Sequence, residues 1–85
     1  MKINFTETGW KDYLYWQTQD KKTIKRINQL IQDIERNGDL IGLGDPEQLK
    51  YNLNGWYSRK IDGANRFVYR ICDNTLEISQ CRGHY

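Results

Sequence analysis

The chain has 85 residues, of which 38% are hydrophobic and 13% are aromatic, and its formal net charge is +2. A chain of this length forms a single domain, residues 1–85, around one small core. The sequence contains neither a signal-peptide pattern nor an apolar stretch long enough to cross a bilayer, so we expect a cytoplasmic protein without a membrane partner.

The first half of the chain predicts one strand and two helices. Ile3 and Phe5 alternate with polar residues, which indicates a short strand. A helix over residues 7–18 follows, with an apolar face that contains Trp10, Tyr13, Leu14, Trp16 and Gln17. Asp20 is a suitable N-cap for a second helix, which would end at Asn37-Gly38. The apolar stripe of this second helix consists of Ile24, Ile27, Leu30, Ile31 and Ile34.

The second half predicts an irregular segment followed by three strands. Gly42, Gly44 and Pro46 interrupt regular structure between residues 39 and 54, and long loops in small domains are often functional. Strands are predicted over residues 56–61, 66–72 and 76–82, with turns at residues 62–65 and 73–74. The order β-α-α-β-β-β is typical of the α+β class, with two N-terminal helices packed on one face of an antiparallel sheet.

A two-residue loop at positions 73–74 fixes a register for the last hairpin, in which Arg70 lies opposite Glu77. The predicted buried face then carries Phe67, Tyr69, Ile71, Leu76 and Ile78. On the open face, Arg66 would lie opposite Cys81. Cys72 and Cys81 would be too far apart along the hairpin to form a disulfide.

Positive charge collects in the C-terminal part of the chain. Residues 1–49 carry seven Lys/Arg and eight Asp/Glu, whereas residues 50–85 carry six Lys/Arg and three Asp/Glu, a balance of +3. Such a region attracts anions. A basic region without other evidence is, however, more often a solvated surface than a binding site. One His and two Cys give no metal-ligand spacing, so we expect no metal and no cofactor.

Three residues outside the predicted core have side chains suited to chemistry. His84 is the only histidine and lies in the C-terminal tail, Glu47 lies in the irregular segment, and Arg66 begins a strand. Each is ordinary alone, as a polar tail, a solvated carboxylate or a surface arginine. Together they suit RNA cleavage without a metal ion. In that reaction a base takes the proton of the 2′-hydroxyl, an acid protonates the leaving 5′-oxygen and cations stabilise the phosphate.

Five segments of the chain form a recognisable set. They are residues 10–16 (WKDYLYW), 44–50 (GDPEQLK), 58–61 (SRKI), 65–69 (NRFVY) and 81–85 (CRGHY). Together they resemble the YoeB toxins, a family of the RelE superfamily, and the resemblance extends over essentially the whole chain. It implies a RelE-like fold and a ribosome-dependent endoribonuclease that cleaves mRNA in the ribosomal A site.

The resemblance also implies roles for individual residues and a set of partners. Glu47 would be the general base, His84 the general acid, Arg66 the cation that stabilises the phosphate, and Tyr85 an orienting residue. Supporting contacts to RNA are expected from Lys50, Arg59, Lys60 and Arg82. The implied partners are mRNA and the ribosome, a YefM-type antitoxin that folds on the toxin, a second toxin copy in a homodimer, and operator DNA bound only through the antitoxin.

Two residues depart from the family pattern. Asp45 stands where members often have Lys, which weakens the local attraction for RNA, and Gln48 replaces a frequent Pro, which leaves the loop less rigid. Two other functions remain open, namely a non-catalytic module that binds RNA or the ribosome and a ParE-type gyrase inhibitor on the same fold. Neither of them requires an acid–base pair such as Glu47 and His84.

Overall fold

The structure is a computed structural model that describes residues 1–85 and contains two helices and five strands. The elements are β1 (Lys2–Phe5), α1 (Glu7–Gln19), α2 (Lys21–Asn37), β2 (Glu47–Gln48), β3 (Tyr57–Lys60), β4 (Arg66–Cys72) and β5 (Thr75–Gln80), with a 3₁₀ turn at Tyr51–Leu53. The predicted α+β class is confirmed. The two-residue strand β2 is an addition, because it lies in the segment predicted as irregular. Neither helix has the length and apolar character that a membrane crossing requires.

The five strands form one sheet in the order β1-β5-β4-β3-β2. The predicted antiparallel arrangement holds for β2 to β5, whereas β1 pairs with β5 in parallel. No tight turn links β1 to β5, because both helices and three strands intervene, so no hairpin sets the direction of β1. The sheet is therefore mixed, and β1 and β2 are its edges.

The boundaries of α2 follow the predicted caps. Asp20 accepts a hydrogen bond from the backbone N–H of Lys22 at 3.0 Å, and the helix ends at Asn37 before Gly38, which has a φ of 86°. The predicted stripe is confirmed at its last four positions, Ile27, Leu30, Ile31 and Ile34, which are buried, whereas Ile24 at its start is only half-buried. This stripe and the helix-facing side of β4 and β5 form the core.

The face of α1 that meets the sheet differs from the prediction. Trp10 and Leu14 are exposed by 47% and 40%, and the only buried residue of α1 is Gly9. A Cβ atom at Gly9 would lie 2.5 Å from the carbonyl oxygen of Ile78, so the helix approaches β5 closely at this position. Tyr13 and Trp16 pack against the core as predicted, but the close contact at Gly9 turns Trp10 and Leu14 towards solvent.

The β4–β5 hairpin contains a bulge that the sequence pattern does not predict. The predicted pairs Tyr69–Ile78 and Arg70–Glu77 are confirmed, but the register shifts by one residue between Val68 and Tyr69. The prediction that Arg66 faces Cys81 is therefore wrong. The shift turns Cys81 into the core, where it is fully buried.

The buried thiol is held in its neutral form. Burial, together with the nearby Asp12 carboxylate, raises the pKa of Cys81 to about 12. Cys72 is exposed, and both cysteines are free, as predicted.

Arg59 of β3 is the largest fully buried side chain of the protein. The prediction that it contacts RNA is wrong, because it points to the helix side of the sheet and all five of its N–H groups are used. Nε donates to Tyr69 Oη at 2.9 Å, and Nη1 forms an ion pair with Asp33 of α2. The other three hydrogen bonds are donated to the backbone carbonyls of Leu43, Gly38 and Ile41.

The ion pair between Arg59 and Asp33 fixes the segment between α2 and β2. Asp33 Oδ2 also accepts a hydrogen bond from the Leu43 amide at 3.0 Å, so both members of the pair hold this segment. Burial opposes the ionisation of Asp33. The hydrogen bonds from Arg59, Leu43 and Asn37, with the charge of Arg59, outweigh it and hold the pKa of this carboxyl below its ordinary value of 3.8.

We predict that Asp33→Asn lowers the free energy of unfolding by about 3–5 kcal/mol, because the Arg59 charge would stay buried without its counter-ion. The matched control is Asp45→Asn, which removes an exposed ion pair with Lys60 and should cost less than about 1 kcal/mol. Urea denaturation measures the stability of both variants. Equal losses of stability would contradict the structural role of the buried pair between Arg59 and Asp33.

The pH dependence of this difference has a definite sign. Because the folded-state pKa of Asp33 is lowered, its contribution to stability is present above about pH 3.8 and is lost as the pH falls through the folded-state pKa. The difference in the free energy of unfolding between wild type and Asp33→Asn should therefore become smaller in strong acid.

Candidate active site

A row of residues crosses the sheet on the face away from the helices. Glu47 of β2 pairs with Ser58 of β3, and Ser58 pairs in turn with Val68 of β4. Gln80 of β5 completes the row opposite Val68. Directly opposite residues project to the same face, and neighbouring strands lie about 4.8 Å apart. Since Arg59 points to the helices, this row lies on the open face, with Glu47 at its end.

The segment around Glu47 is held against β3 at two points. Before Glu47, the carbonyl of Gly44 accepts a hydrogen bond from the Lys60 amide at 2.7 Å. A Cβ atom at Gly44 would lie 3.0 Å from the Lys60 carbonyl oxygen, and its φ is +84°, so this close approach requires glycine. After Glu47, Leu49 is buried, and its amide donates to the Trp56 carbonyl at 2.9 Å. The carboxylate therefore stands on a fixed backbone.

The C-terminal tail crosses the same open face. Gly83 donates its N–H to the side chain of Asn65 at 2.7 Å and accepts a hydrogen bond from the Arg66 amide at 2.9 Å. Two residues further on, the hydroxyls of Tyr85 and Ser58 are hydrogen-bonded at 3.1 Å. The tail therefore runs from the start of β4 to the middle of β3, where Ser58 lies opposite Glu47.

Glu47, Lys50 and Tyr85 line one open cavity of about 380 Å³. Residues that bear a carboxylate, an ammonium group and a phenol thus line one hollow large enough for a nucleotide phosphate. The 3₁₀ turn at Tyr51–Leu53 forms the outer wall of this cavity. No group of three His, Cys, Asp or Glu side chains in the chain has a geometry suited to a metal ion.

His84 reaches this site through its neighbour. Its ring packs on the ring of Tyr85 with a centroid distance of 4.7 Å, and its Nδ1 lies 3.1 Å from the Tyr85 carbonyl oxygen. The imidazole is exposed and does not itself line the cavity with Glu47. The loop carboxylate and the terminal imidazole nevertheless belong to segments that meet on the same side of the sheet.

Arg66 lies on the open face at the first position of β4, directly opposite Lys60. Its Nη1 donates to the carbonyls of Asp62 at 2.8 Å and Asn65 at 3.2 Å, whereas Nε and Nη2 make no hydrogen bond within the protein. Burial opposes the ionisation of Asp62, but hydrogen bonds from Ala64 and Asn65, with the charge of Arg66, hold its pKa below the ordinary value. The turn beneath Arg66 is thus rigid, and half of the guanidinium is free for a ligand.

The remaining predicted cations have different surroundings. Lys60 is exposed, and its ammonium lies 3.1 Å from the carboxylate of Asp45. The guanidinium carbon of Arg82 lies 3.5 Å from the centre of the Tyr15 ring on α1, so this side chain stacks on the helix rather than on the tail. Of the four predicted RNA-binding cations, only Lys50 lines the cavity.

Sequence reasoning missed the part played by Ser58 and the inward direction of Arg59. The predicted four-residue turn at positions 62–65 would pair Ile61 with Arg66 and Arg59 with Val68, which places Arg59 on the open face. The structure instead pairs Lys60 with Arg66 and Arg59 with Phe67, so the loop spans residues 61–65 and the register differs by one residue. Because a shift of one residue exchanges the two faces of a strand, the predicted turn could not indicate that Arg59 enters the core and that Ser58 lies on the open face.

The sequence and the fold are similar to those of known toxins. A family described as "YoeB-like toxin of bacterial type II toxin-antitoxin system" matches residues 5–85. Toxin YoeB of Synechocystis sp. is 53% identical over 85 residues, which cover 100% of this chain and 98% of that protein.

Two solved toxins extend this similarity to three dimensions. A YoeB from Staphylococcus aureus, solved both in a heterotetrameric YoeB–YefM complex and as a dimer, is 47% identical with a TM-score of 0.94 and covers 100% of this chain and 98% of that chain. A YoeB/ParE toxin from Agrobacterium tumefaciens is 42% identical with a TM-score of 0.96, and the match covers 100% of both chains.

We predict that two truncations differ in stability. Gly83 anchors the tail, because its N–H donates to the Asn65 side chain and its carbonyl accepts a hydrogen bond from the Arg66 amide. Deleting only His84 and Tyr85 should lower the free energy of unfolding by about 1 kcal/mol, whereas deleting Gly83 as well should cost about 1–3 kcal/mol more. Urea denaturation of both truncated proteins tests this, and identical midpoints would show that Gly83 does not anchor the tail.

Proposed function

Because the chain belongs to the YoeB-like toxin family of bacterial type II toxin–antitoxin systems, we propose that it is a ribosome-dependent, metal-independent endoribonuclease that cleaves mRNA in the ribosomal A site. The observation that carries this proposal is the single cavity lined by Glu47, Lys50 and Tyr85, with His84 packed on Tyr85. Glu47 thus lines a phosphate-sized hollow, and the imidazole of His84 packs on a ring of the same hollow's lining, although the chain supplies these residues from distant segments.

The proposed reaction is an attack within the RNA itself. Glu47 takes the proton of the 2′-hydroxyl, and the freed oxygen forms a bond to the neighbouring phosphorus. The bond from phosphorus to the 5′-oxygen breaks, and a protonated His84 gives that oxygen its proton. The products are a 2′,3′-cyclic phosphate and a 5′-hydroxyl, so no water or metal is needed in this step. The need for a 2′-hydroxyl restricts the reaction to RNA.

The cations have separate parts in this proposal. The free Nε and Nη2 of Arg66 contact the phosphoryl oxygens and stabilise the charge that builds up there. Lys50, in the cavity wall, contacts the same or the next phosphate. Lys60 lies opposite Arg66 in the sheet and adds positive charge along the path of the bound RNA. The hydrogen bond between Tyr85 and Ser58 fixes the phenol ring on which the His84 ring packs.

The proposed partners follow from the relatives. The Staphylococcus aureus YoeB is described in a heterotetrameric complex with YefM and as a dimer. We propose that this chain likewise binds a YefM-type antitoxin and forms a homodimer, and that it reaches operator DNA only through the antitoxin. We also propose that it acts in the cytoplasm, where its mRNA and ribosome substrates are found.

Two alternatives predict different behaviour of the same variants. The Agrobacterium tumefaciens relative carries the joint name YoeB/ParE, so gyrase inhibition is the first of them. A module that binds RNA or the ribosome without cutting it is the second. Neither function depends on proton transfer by Glu47 or His84.

We predict that Glu47→Gln and His84→Ala each abolish growth arrest on induced expression, because each removes one proton-transfer group but leaves the core intact. Arrest that persists in both variants would favour one of the alternatives. DNA-damage signalling by the wild type would point specifically to gyrase inhibition. Urea denaturation serves as the folding control for each variant.

We predict that Arg66→Ala lowers cleavage of ribosome-bound mRNA at least tenfold, which corresponds to about 1.4 kcal/mol of transition-state stabilisation. Primer extension on programmed ribosomes measures the effect. The matched control is Arg36→Ala, which removes an exposed arginine from the last turn of α2, outside the open face. If the two variants cut equally well, Arg66 does not contact the scissile phosphate.

A further inference from the structure

Tyr51 combines two features that the fold does not explain. The residue is 91% exposed, more than any other large hydrophobic or aromatic residue of the chain. Its backbone has a φ of 60°, in the left-handed region that disfavours residues with a Cβ atom. A side chain in solvent contributes little to packing, and here its backbone costs about 1 kcal/mol or more. The ring is therefore placed at a cost to stability without a benefit to the core.

The backbone that carries Tyr51 is well held. The carbonyl of Tyr51 accepts a hydrogen bond from the Asn54 amide at 3.0 Å, and the Lys50 carbonyl accepts one from the Leu53 amide at 3.1 Å. Leu49 is buried just before the turn. The ring of Tyr51 is thus displayed from a rigid 3₁₀ turn rather than from a loose loop.

The position of the turn suggests what the ring is for. Tyr51 lines the same cavity as Glu47 and Tyr85, and its sequence neighbour Lys50 lies in that wall as well. We propose that Tyr51 is a base-stacking platform, which holds the nucleobase next to the scissile phosphate on the Glu47 side of the site. This proposal rests on the proposed function and deepens it, because it names a positioning residue for the RNA substrate.

Stacking is the interaction that an exposed phenol ring beside an RNA site offers. It is worth about 1–3 kcal/mol per base and tolerates any base, since every base has a flat face. A stacked base would orient the ribose whose 2′-hydroxyl gives its proton to Glu47. Tyr51 then acts on substrate position, whereas Glu47 and His84 act on protons.

The first test compares three substitutions of Tyr51 on ribosome-bound mRNA. Tyr51→Phe keeps the ring and should retain cleavage within twofold. Tyr51→Asn removes the ring and should lower kcat/KM by about 5- to 150-fold, the equivalent of one lost stack. Because asparagine tolerates the left-handed backbone, Tyr51→Asn should also raise the melting temperature. Ile41→Ala, which truncates a side chain that is 68% exposed on another loop, is the control expected to leave cleavage unchanged.

The second test removes the base instead of the ring. On a message with an abasic nucleotide at the cleavage position, Tyr51→Asn and wild type should cut at rates within twofold of each other, because no stack remains to be lost. An equal loss from Tyr51→Asn on intact and abasic messages would overturn stacking. Unchanged cleavage of intact message by Tyr51→Asn would overturn it as well while leaving the nuclease assignment in place. Failure of the wild type to cut ribosome-bound mRNA would overturn the proposed function and the stacking proposal with it.

Discussion

One buried guanidinium determines how the segment between α2 and β2 lies against the sheet. Removing an arginine side chain from water costs several kcal/mol, and this cost is offset only when its charge is paired and its N–H groups find acceptors. Arg59 meets both conditions with the Asp33 carboxylate, the Tyr69 hydroxyl and three backbone carbonyls. Because those carbonyls belong to residues 38–43, the core sets the backbone path that leads to Glu47.

The strand that carries Arg59 also carries the support of the candidate site. Residues alternate between the two faces of β3, so Ser58 and Lys60 project to the open face while Arg59 projects to the helices. Ser58 lies opposite Glu47 and bonds Tyr85, which makes it the common support of the loop and the tail. A substitution of Arg59 would therefore disturb the site without removing any contact to RNA.

The sequence predicted the elements that rest on local patterns. The stripe of α2, its caps and the two-residue turn at 73–74 all depend on residues close in the chain, and all are found as predicted except that Ile24 is only half-buried. Two features depend on contacts between distant elements. The bulge that buries Cys81 changes a register by one residue, and Gly9 sets the rotation of α1 through its contact with Ile78. Neither leaves a periodic signal in the sequence.

The candidate site residues also divide into what the sequence alone predicts and what contacts between distant elements decide. Residue types and the family resemblance selected Glu47, Arg66, His84 and Tyr85, and the fold brings their segments to one face of the sheet. The departure at Asp45 has a limited effect. Asp45 pairs with Lys60, but both side chains are largely exposed, so the pair is worth at most about 1 kcal/mol and an RNA phosphate can compete for the ammonium. If Lys60 contacts RNA as proposed, Asp45 lowers the affinity of that one contact by about fivefold at most, and Asp45 does not line the cavity itself.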